Sequence, residues 1–201
     1  LTCQLFVKKV VAEKINLSQA TILSLDEWVG VPPENEGSCH YFFYTTVFNP
    51  LQLSPNQFHV FNALAYDLQT ECAKMDTIIA DRGGIDLMIV GIGMNGHIGF
   101  NEPGVSFTNY SHVIDLDETT IAIGQKYFTE ATTISKGITI GLQHLMNAKE
   151  VLLLANGNKK AGVIKQTIEG PVTQNFPASI MQQHSNGSIL VDEEAASLLN
   201  H

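Results

Sequence analysis

Residues 85–104 read IDLMIVGIGMNGHIGFNEPG, and the interpretation of the whole 201-residue chain starts from this stretch. The apolar run 87–90, with Gly83-Gly84 just upstream, is typical of a parallel strand that is buried on both faces. Four glycines, His97 and Glu102 follow directly. Because open α/β sheets bind ligands at the carboxyl ends of their strands, we expect the functional site at this point.

Strand and helix patterns alternate along the rest of the chain. Apolar runs predict strands at residues 20–25, 58–61, 85–90, 113–114, 139–140, 150–155 and 188–191. Helical spacing and breaker residues predict helices at residues 5–14, 39–48, 65–81, 117–129, 158–168 and 192–199. This alternation predicts a parallel sheet with helices on both faces, in a single domain over residues 1–201.

Composition excludes several classes of function. The net charge of −9 argues against nucleic acid as a partner, because nucleic-acid binding needs a basic surface. No apolar stretch approaches the ~20 residues of a membrane span. Cys3, Cys39 and Cys72 are scattered and odd in number, which argues against disulfides and a structural zinc site. We therefore expect a cytoplasmic protein.

The glycine run also satisfies the dinucleotide-binding pattern G-x-G-x-x-G over residues 91–96. Asp115 and Asp117 lie about twenty residues further on, where the ribose-binding acid of such a site is expected. Against this interpretation, Pro103-Gly104 cut short the helix that should carry the pyrophosphate at its N-terminus. A lone glycine pattern is weak support, so a nucleotide site is the less favoured alternative.

A catalytic loop is the favoured interpretation of the same residues. Glycines let the backbone approach a substrate closely, and His97 is suited to general acid–base catalysis. Glu102 would orient His97 or relay its proton. A packed histidine and a turn-capping glutamate are the structural alternative. We expect no metal site, since a His and a Glu five residues apart do not share a helix face.

The run from Gly91 to Gly104 resembles the signature of the glucosamine-6-phosphate deaminase family. Residues 24–30 (SLDEWVG) resemble a second motif of that family. Shorter matches lie at residues 83–87, 139–141, 177–179 and 183–184, so the resemblance covers essentially the whole chain. The related 6-phosphogluconolactonases have a similar Gly-His loop but lack the Phe-Asn-Glu-Pro continuation.

The resemblance implies a modified Rossmann-like, three-layer αβα sandwich with a mainly parallel sheet, of the type shared with ribose-5-phosphate isomerase and CoA transferases. It also implies that an amino-sugar 6-phosphate is isomerised from aldose to ketose and loses ammonia. No organic cofactor or metal is expected. The partner would be the small amino-sugar phosphate, without nucleic acid or membrane, and a homo-oligomer is left open.

The resemblance also assigns roles to residues. Asp26 matches the carboxylate that moves a proton from carbon 2 to carbon 1, although an unplaced Asp is more often a helix N-cap. A neighbouring carboxylate at residue 27 should raise one of the two pKa values. His97 matches the residue that protonates the ring oxygen, and Glu102 matches its partner. Gly91 and Gly93 match positions where the backbone lines the sugar.

Two lysines match the positions that hold the phosphate. Lys160 lies at the expected start of a helix, where a cation is unfavourable on dipole grounds, so a functional role is favoured over a solvated surface lysine. Lys126 lies where the family often has an arginine. It keeps the charge but lacks the bidentate fork of a guanidinium group.

The chain departs from the family pattern at three points. It begins at Leu1, near the first helix, so we expect the first strand and the phosphate loop of the family to be missing from residues 1–201. Asn95 stands where many members have Asp, which leaves Glu102 as the only charged partner of His97. Cys39 falls near a position often held by Tyr, so galactosamine 6-phosphate is a substrate candidate beside glucosamine 6-phosphate.

Three alternatives to a deaminase stay open on the sequence. A sugar-phosphate lactonase would use His97 as a base on water and would not need Asp26. A sugar-phosphate sensor would keep the fold and bind without turnover. The nucleotide-binding oxidoreductase is the third.

Overall fold

The computed structural model describes residues 1–200 as an α/β fold. Its α-helices are α1 (Thr2–Glu13), α2 (Cys39–Phe43), α3 (Leu68–Asp81), α4 (Glu118–Gly124), α5 (Leu142–Asn147), α6 (Ala161–Glu169) and α7 (Glu193–Ala196). Its strands are β1 (Ile22–Leu23), β2 (Asp26–Trp28), β3 (Phe58–His59), β4 (Leu87–Val90), β5 (His112–Asp115), β6 (Lys136–Thr139), β7 (Glu150–Ala155) and β8 (Gly187–Val191). Within residues 1–200, no helix has the length and apolarity that a membrane crossing requires.

Four short helical segments of other types complete the fold. A π-helical turn, Tyr44–Phe48, extends α2. Segments of 3₁₀-helix lie at Gln125–Tyr127, Asn158–Lys160 and Pro177–Gln183. The segment Gln125–Tyr127 follows α4 and carries Lys126. The segment Asn158–Lys160 precedes α6 and carries Lys160, so each holds one of the two predicted phosphate lysines.

Three of the five strand pairings are parallel, which confirms the predicted mainly parallel α/β class. The order β4-β7-β8 forms one parallel sheet, and β1 pairs with β3 in parallel. The third sheet, in the order β2-β6-β5, is antiparallel and was not predicted. An antiparallel pair is recognisable when a tight turn joins its strands, whereas residues 116–135 with α4 connect β5 to β6.

Helix α3 shows how the core forms. Asp67 caps its N-terminus by accepting hydrogen bonds from the backbone N–H of Gln69 and Thr70. Gly83 and Gly84 follow its end with φ of +78° and +98°, which glycine adopts without strain. One face of α3 is buried against the sheets, and each fully buried side chain there contributes about 1.5–3 kcal/mol. The buried apolar residues of α3 are Cys72, Met75 and Ile79.

The prediction that residues 87–90 are buried on both faces is wrong for the described part of the chain. Met88 and Val90 are buried, but Leu87 and Ile89 are 47% and 49% exposed. Side chains alternate between the two faces of a strand, and among residues 1–200 only the face of Met88 and Val90 is fully covered. An apolar run therefore identified the strand without identifying what covers it.

Thr139 fixes the relative positions of β2 and the glycine loop. In the β2-β6-β5 sheet it pairs with Asp26 on one side and with His112 on the other. Its hydroxyl also accepts a hydrogen bond of 3.2 Å from the backbone N–H of Phe100. This buried threonine thereby connects the strand that carries Asp26 to the loop that carries His97.

Candidate active site

The glycine loop begins where β4 ends and turns back on itself around His97. The backbone N–H of Gly93 donates to the carbonyl of His97 at 2.9 Å, and Gly96 donates to the carbonyl of Gly93 at 3.2 Å. Gly96 has φ of +82°, a conformation that L side chains rarely adopt. The imidazole of His97 lies directly over Gly93, where a Cβ atom would overlap the ring. The glycine pattern thus serves to seat His97.

The two glycines predicted to line the sugar differ in their surroundings. The His97 ring fills the space where a Cβ atom of residue 93 would lie, so only glycine fits at this position. Gly91 is exposed, and a Cβ there would meet nothing within 4 Å. Contact of either backbone with a sugar stays a prediction.

His97, Asn95 and Glu102 form one hydrogen-bonded group. The sequence analysis predicted that these three side chains lie close together. Nδ1 of His97 lies 3.5 Å from Oε2 of Glu102. The amide nitrogen of Asn95 donates to the same oxygen at 2.9 Å, and its Oδ1 accepts from the backbone N–H of His97 at 3.2 Å. Glu102 is 3% exposed, so this carboxylate is enclosed by its partners.

Thr120 belongs to this group and was missed by the sequence analysis. It lies in the first turn of α4, is 5% exposed, and its Oγ1 lies 3.1 Å from Nδ1 of His97. Burial favours a higher pKa for Glu102, but hydrogen bonds from His97, Thr120 and Asn95 hold that pKa below its usual value. Glu102 therefore remains ionised next to the imidazole.

Asp26 lies in β2, within electrostatic range of His97. Burial raises the pKa of Asp26 to about 6, although a hydrogen bond from Cys39 and the charge of His97 oppose the rise. The Sγ atom of Cys39 donates to Oδ1 of Asp26 at 3.4 Å. Asp26 is in a strand, so the alternative of a helix N-cap is wrong.

Glu27 points away from Asp26, since successive side chains of a strand face opposite sides. Its carboxylate accepts from the backbone N–H of Trp28 at 2.8 Å, Cys39 at 3.0 Å and His40 at 2.7 Å. Burial is the main cause of its raised pKa, and Asp26 contributes the smallest part, so the predicted effect between neighbouring carboxylates is confirmed but minor. Glu27 thus fixes the start of α2 against β2.

The two predicted phosphate lysines lie close enough to influence each other. Nζ of Lys160 donates to the carbonyl of Ile92 in the glycine loop at 2.5 Å. Burial lowers the pKa of Lys160, and the positive charge of Lys126 lowers it further. Lys126 is exposed, with Nζ 4.8 Å from the centre of the Tyr127 ring. Two adjacent cations at the start of the loop form a local positive region on an acidic protein.

The geometry does not support the nucleotide alternative. No helix occurs between β4 and β5, so nothing in residues 97–111 can present a helix N-terminus to a pyrophosphate. Within residues 1–200, no three His, Cys, Asp or Glu side chains are grouped so that they could hold a metal ion. The arrangement is that of two carboxylates and an imidazole beside a pair of lysines.

Sequence comparison identifies relatives over nearly the whole chain. The profile of the family described as glucosamine-6-phosphate isomerases/6-phosphogluconolactonase matches residues 2–191. A glucosamine-6-phosphate deaminase from Thermoanaerobacter sp. (strain X514) is 42% identical over 187 residues, which are 92% of this chain and 74% of the relative. A glucosamine-6-phosphate deaminase from Streptococcus uberis (strain ATCC BAA-854 / 0140J) is 41% identical over 196 residues, which are 97% and 82% of the two chains.

Solved structures show the same fold. A monomeric glucosamine-6-phosphate deaminase superposes with a TM-score of 0.93 at 34% identity, covering 98% of this chain and 82% of the other. The 6-phosphogluconolactonase from Trypanosoma brucei superposes with a TM-score of 0.72 at 17% identity, covering 96% and 81%. The second likeness, at this low identity, concerns the fold alone.

Proposed function

Because the chain belongs to the family of glucosamine-6-phosphate isomerases and 6-phosphogluconolactonases, we propose that it is an amino-sugar-6-phosphate deaminase. It converts glucosamine 6-phosphate, or its galactosamine epimer, to the ketohexose 6-phosphate. Water is consumed and ammonia is released. The relatives of 38–42% identity are named glucosamine-6-phosphate deaminase, whereas the lactonases compared above share only the fold.

The proximity of Asp26 to the His97–Glu102 pair is the observation that carries this proposal. Isomerisation needs a base that removes the proton from carbon 2 and returns it to carbon 1. A carboxylate with a pKa of about 6 is ionised at neutral pH and still basic enough to take up a proton. A lactonase requires only one base acting on water, so it gives no reason for a second carboxylate with a raised pKa.

His97 opens the pyranose ring by giving a proton to the ring oxygen. Glu102 is ionised and lies beside Nδ1, so it stabilises the protonated imidazole during this step. Asn95 holds Glu102 and the backbone of His97 in place without adding charge. Its amide therefore supplies orientation where many relatives have a second carboxylate.

Lys160 and Lys126 bind the phosphate of the substrate. Their mutual repulsion is relieved when a dianionic group lies between them. The 3₁₀ segment Asn158–Lys160 leads into α6, so the partial positive charge of that helix start adds to the attraction. Gly91 and Gly93 flank Ile92, whose carbonyl binds Lys160, which supports their contact with the sugar.

The test is ammonia release from glucosamine 6-phosphate and galactosamine 6-phosphate, measured in parallel on the full-length protein. We expect turnover of one epimer. In Asp26→Asn we expect kcat to fall by at least about 10³-fold, because the variant lacks the base. Hydrolysis of a 6-phosphogluconolactone that survives in Asp26→Asn would establish the lactonase instead. Binding of both sugars without turnover would establish a sensor.

The setting of the reaction is part of the same proposal. All three cysteines are free, which supports a reducing cytoplasm. Release of ammonia and a ketohexose phosphate supports a role in amino-sugar catabolism, downstream of N-acetylglucosamine.

A further inference from the structure

A threonine occupies the position next to the ring nitrogen of His97 that faces away from solvent. Thr120 Oγ1 lies 3.1 Å from Nδ1 of His97, closer than Oε2 of Glu102 at 3.5 Å. Both side chains lie on the buried side of the imidazole, since Thr120 and Glu102 are 5% and 3% exposed. The hydroxyl, rather than the carboxylate, is thus the nearer partner of Nδ1.

Asn95 does not compete for this nitrogen. Its amide nitrogen is bonded to Glu102, and its amide oxygen accepts from the backbone N–H of His97. No bond from Asn95 to the imidazole ring is formed. A neutral amide at this position therefore leaves the tautomer of His97 to other groups.

A hydroxyl can act in both directions at once, because it has one proton to donate and two lone pairs. Thr120 Oγ1 is within hydrogen-bonding distance of Nδ1 of His97, and its hydroxyl also helps to lower the pKa of the neighbouring Glu102. The other oxygen of Glu102, Oε1, is buried without a hydrogen-bond partner among residues 1–200, so the carboxylate has acceptor capacity left. Thr120 can accept from Nδ1–H while it donates to Glu102.

We propose that Thr120 is a positioning residue that, beside Glu102, holds His97 as the Nδ1–H tautomer. This inference rests on the proposed function for its kinetic consequence, though not for its structural one. With Nδ1 held as a donor, Nε2 is the atom that exchanges protons with the substrate. Helix α4, capped by Asp117, brings the hydroxyl to the loop.

Three carboxylates surround the imidazole of His97. Glu102 lies against Nδ1, and both Asp26 and Asp117 interact with the imidazole through space. Of the three carboxylates only Glu102 lies beside a ring nitrogen, at 3.5 Å from Nδ1, and it favours a proton on that atom. Thr120 adds the shorter contact to the same nitrogen, at 3.1 Å, so its hydroxyl strengthens the preference for Nδ1–H.

The first experiment reads the tautomer directly. Protein labelled with ¹⁵N-histidine is studied by NMR at a pH where neutral imidazole predominates, and the His97 signals are assigned by their loss in His97→Gln. We expect a protonated Nδ1 in the wild type and in Thr120→Ser. In Thr120→Val, which is nearly isosteric but has no hydroxyl, we expect the population with a protonated Nε2 to rise.

Thr119→Val is the matched control, because the same change is made one residue away on the exposed side of α4. It should leave the His97 signals unchanged. Unchanged His97 signals in a folded Thr120→Val, as judged by circular dichroism, would overturn the proposal. This readout needs no turnover, so it tests the role of Thr120 even if the protein is not a deaminase.

Kinetics provide the second readout. In Thr120→Val we expect kcat to fall about ten-fold or more with KM within two-fold, since the bond acts on proton transfer and not on binding. Thr120→Ser should recover most of kcat. A Thr120→Val enzyme with unchanged kcat, or with an equal loss in Thr120→Ser, would contradict a role for the hydroxyl.

Discussion

The thiol of Cys39 donates a hydrogen bond to the carboxylate of Asp26, with Sγ 3.4 Å from Oδ1. The sulfur is held there because Glu27 accepts from the first backbone N–H groups of α2. Cys39 is partly buried, and its pKa is raised well above the usual value by desolvation and by the two carboxylates, so the thiol keeps its proton. It can therefore act only as a donor to Asp26.

This contact predicts how activity depends on pH. Asp26 must be ionised to accept a proton, and its pKa is about 6, so kcat/KM should fall roughly ten-fold per pH unit below about pH 6. Cys39→Ala removes a donor that lowers the pKa, so the acid limb should move upward by about half a unit. Cys39→Ser keeps a hydrogen-bond donor, so the acid limb should move upward by less than in Cys39→Ala, or move to lower pH. Identical acid limbs in all three proteins would contradict this account.

Asp26→Asn should make the folded protein more stable at neutral pH. The pKa of Asp26 is about 6 when folded and near its ordinary value of 3.8 when unfolded, so ionisation opposes folding increasingly as pH rises from 3.8 to 6. Discounted for the partial exposure of the side chain, the gain in Asp26→Asn is about 1–2 kcal/mol at pH 7 and close to zero at about pH 4.

Urea denaturation at both pH values measures this gain. Asp115→Asn is the control, because Asp115 is 84% exposed and its ion pair with Lys136 is on the surface. That variant should change the unfolding free energy by less than about 0.5 kcal/mol at either pH. A gain in Asp26→Asn that is equal at both pH values would show that its cause is not the ionisation of Asp26.

Gly93→Ala should disable His97 without unfolding the protein. The added Cβ overlaps the imidazole, so the ring must leave its place between Gly93 and Glu102. We expect kcat to fall by about 10²-fold, as for other small displacements of a reacting group. Gly162→Ala is the control, because a Cβ there meets nothing within 4 Å and alanine is a better helix former. Normal activity in Gly93→Ala would show that the observed ring position is unimportant.

Lys160→Met should weaken substrate binding, whereas Lys159→Met should not. Lys160 is partly buried against the carbonyl of Ile92 and near Lys126, but Lys159 is exposed. Loss of a charged hydrogen bond to phosphate corresponds to about 1.5–3 kcal/mol, so KM should rise about 10- to 100-fold. Inhibition by inorganic phosphate should weaken in parallel. Equal effects in the two variants would mean that only overall charge matters.

The sequence predicted the local parts of the candidate site well. His97, Asn95 and Glu102 lie within eight residues of one another, and the glycines between them allow the chain to turn tightly. The structure brings these three side chains together as expected. Thr120 was not predicted, because a single threonine in the first turn of a helix has no pattern that distinguishes it from a surface residue.

The antiparallel sheet was missed for a related reason. Its strands β2, β5 and β6 have only three or four residues each and are joined by long connections. Periodicity shows which face of an element is buried, but it does not show which strand lies beside it. For the same reason, the apolar run 87–90 indicated a strand without revealing that one of its faces is half exposed.

The sequence by itself determined the α/β class, the glycine loop with its histidine and glutamate, and the lysine at the start of α6, since each depends on residues that are near one another in the chain. Only the tertiary structure decided that Asp26 comes within electrostatic range of His97, that Cys39 donates to Asp26 and that Thr120 reaches Nδ1 of His97. These pairs come from different elements. Their meeting depends on side-chain packing and on the β2-β6 register through Thr139, which chain spacing does not encode.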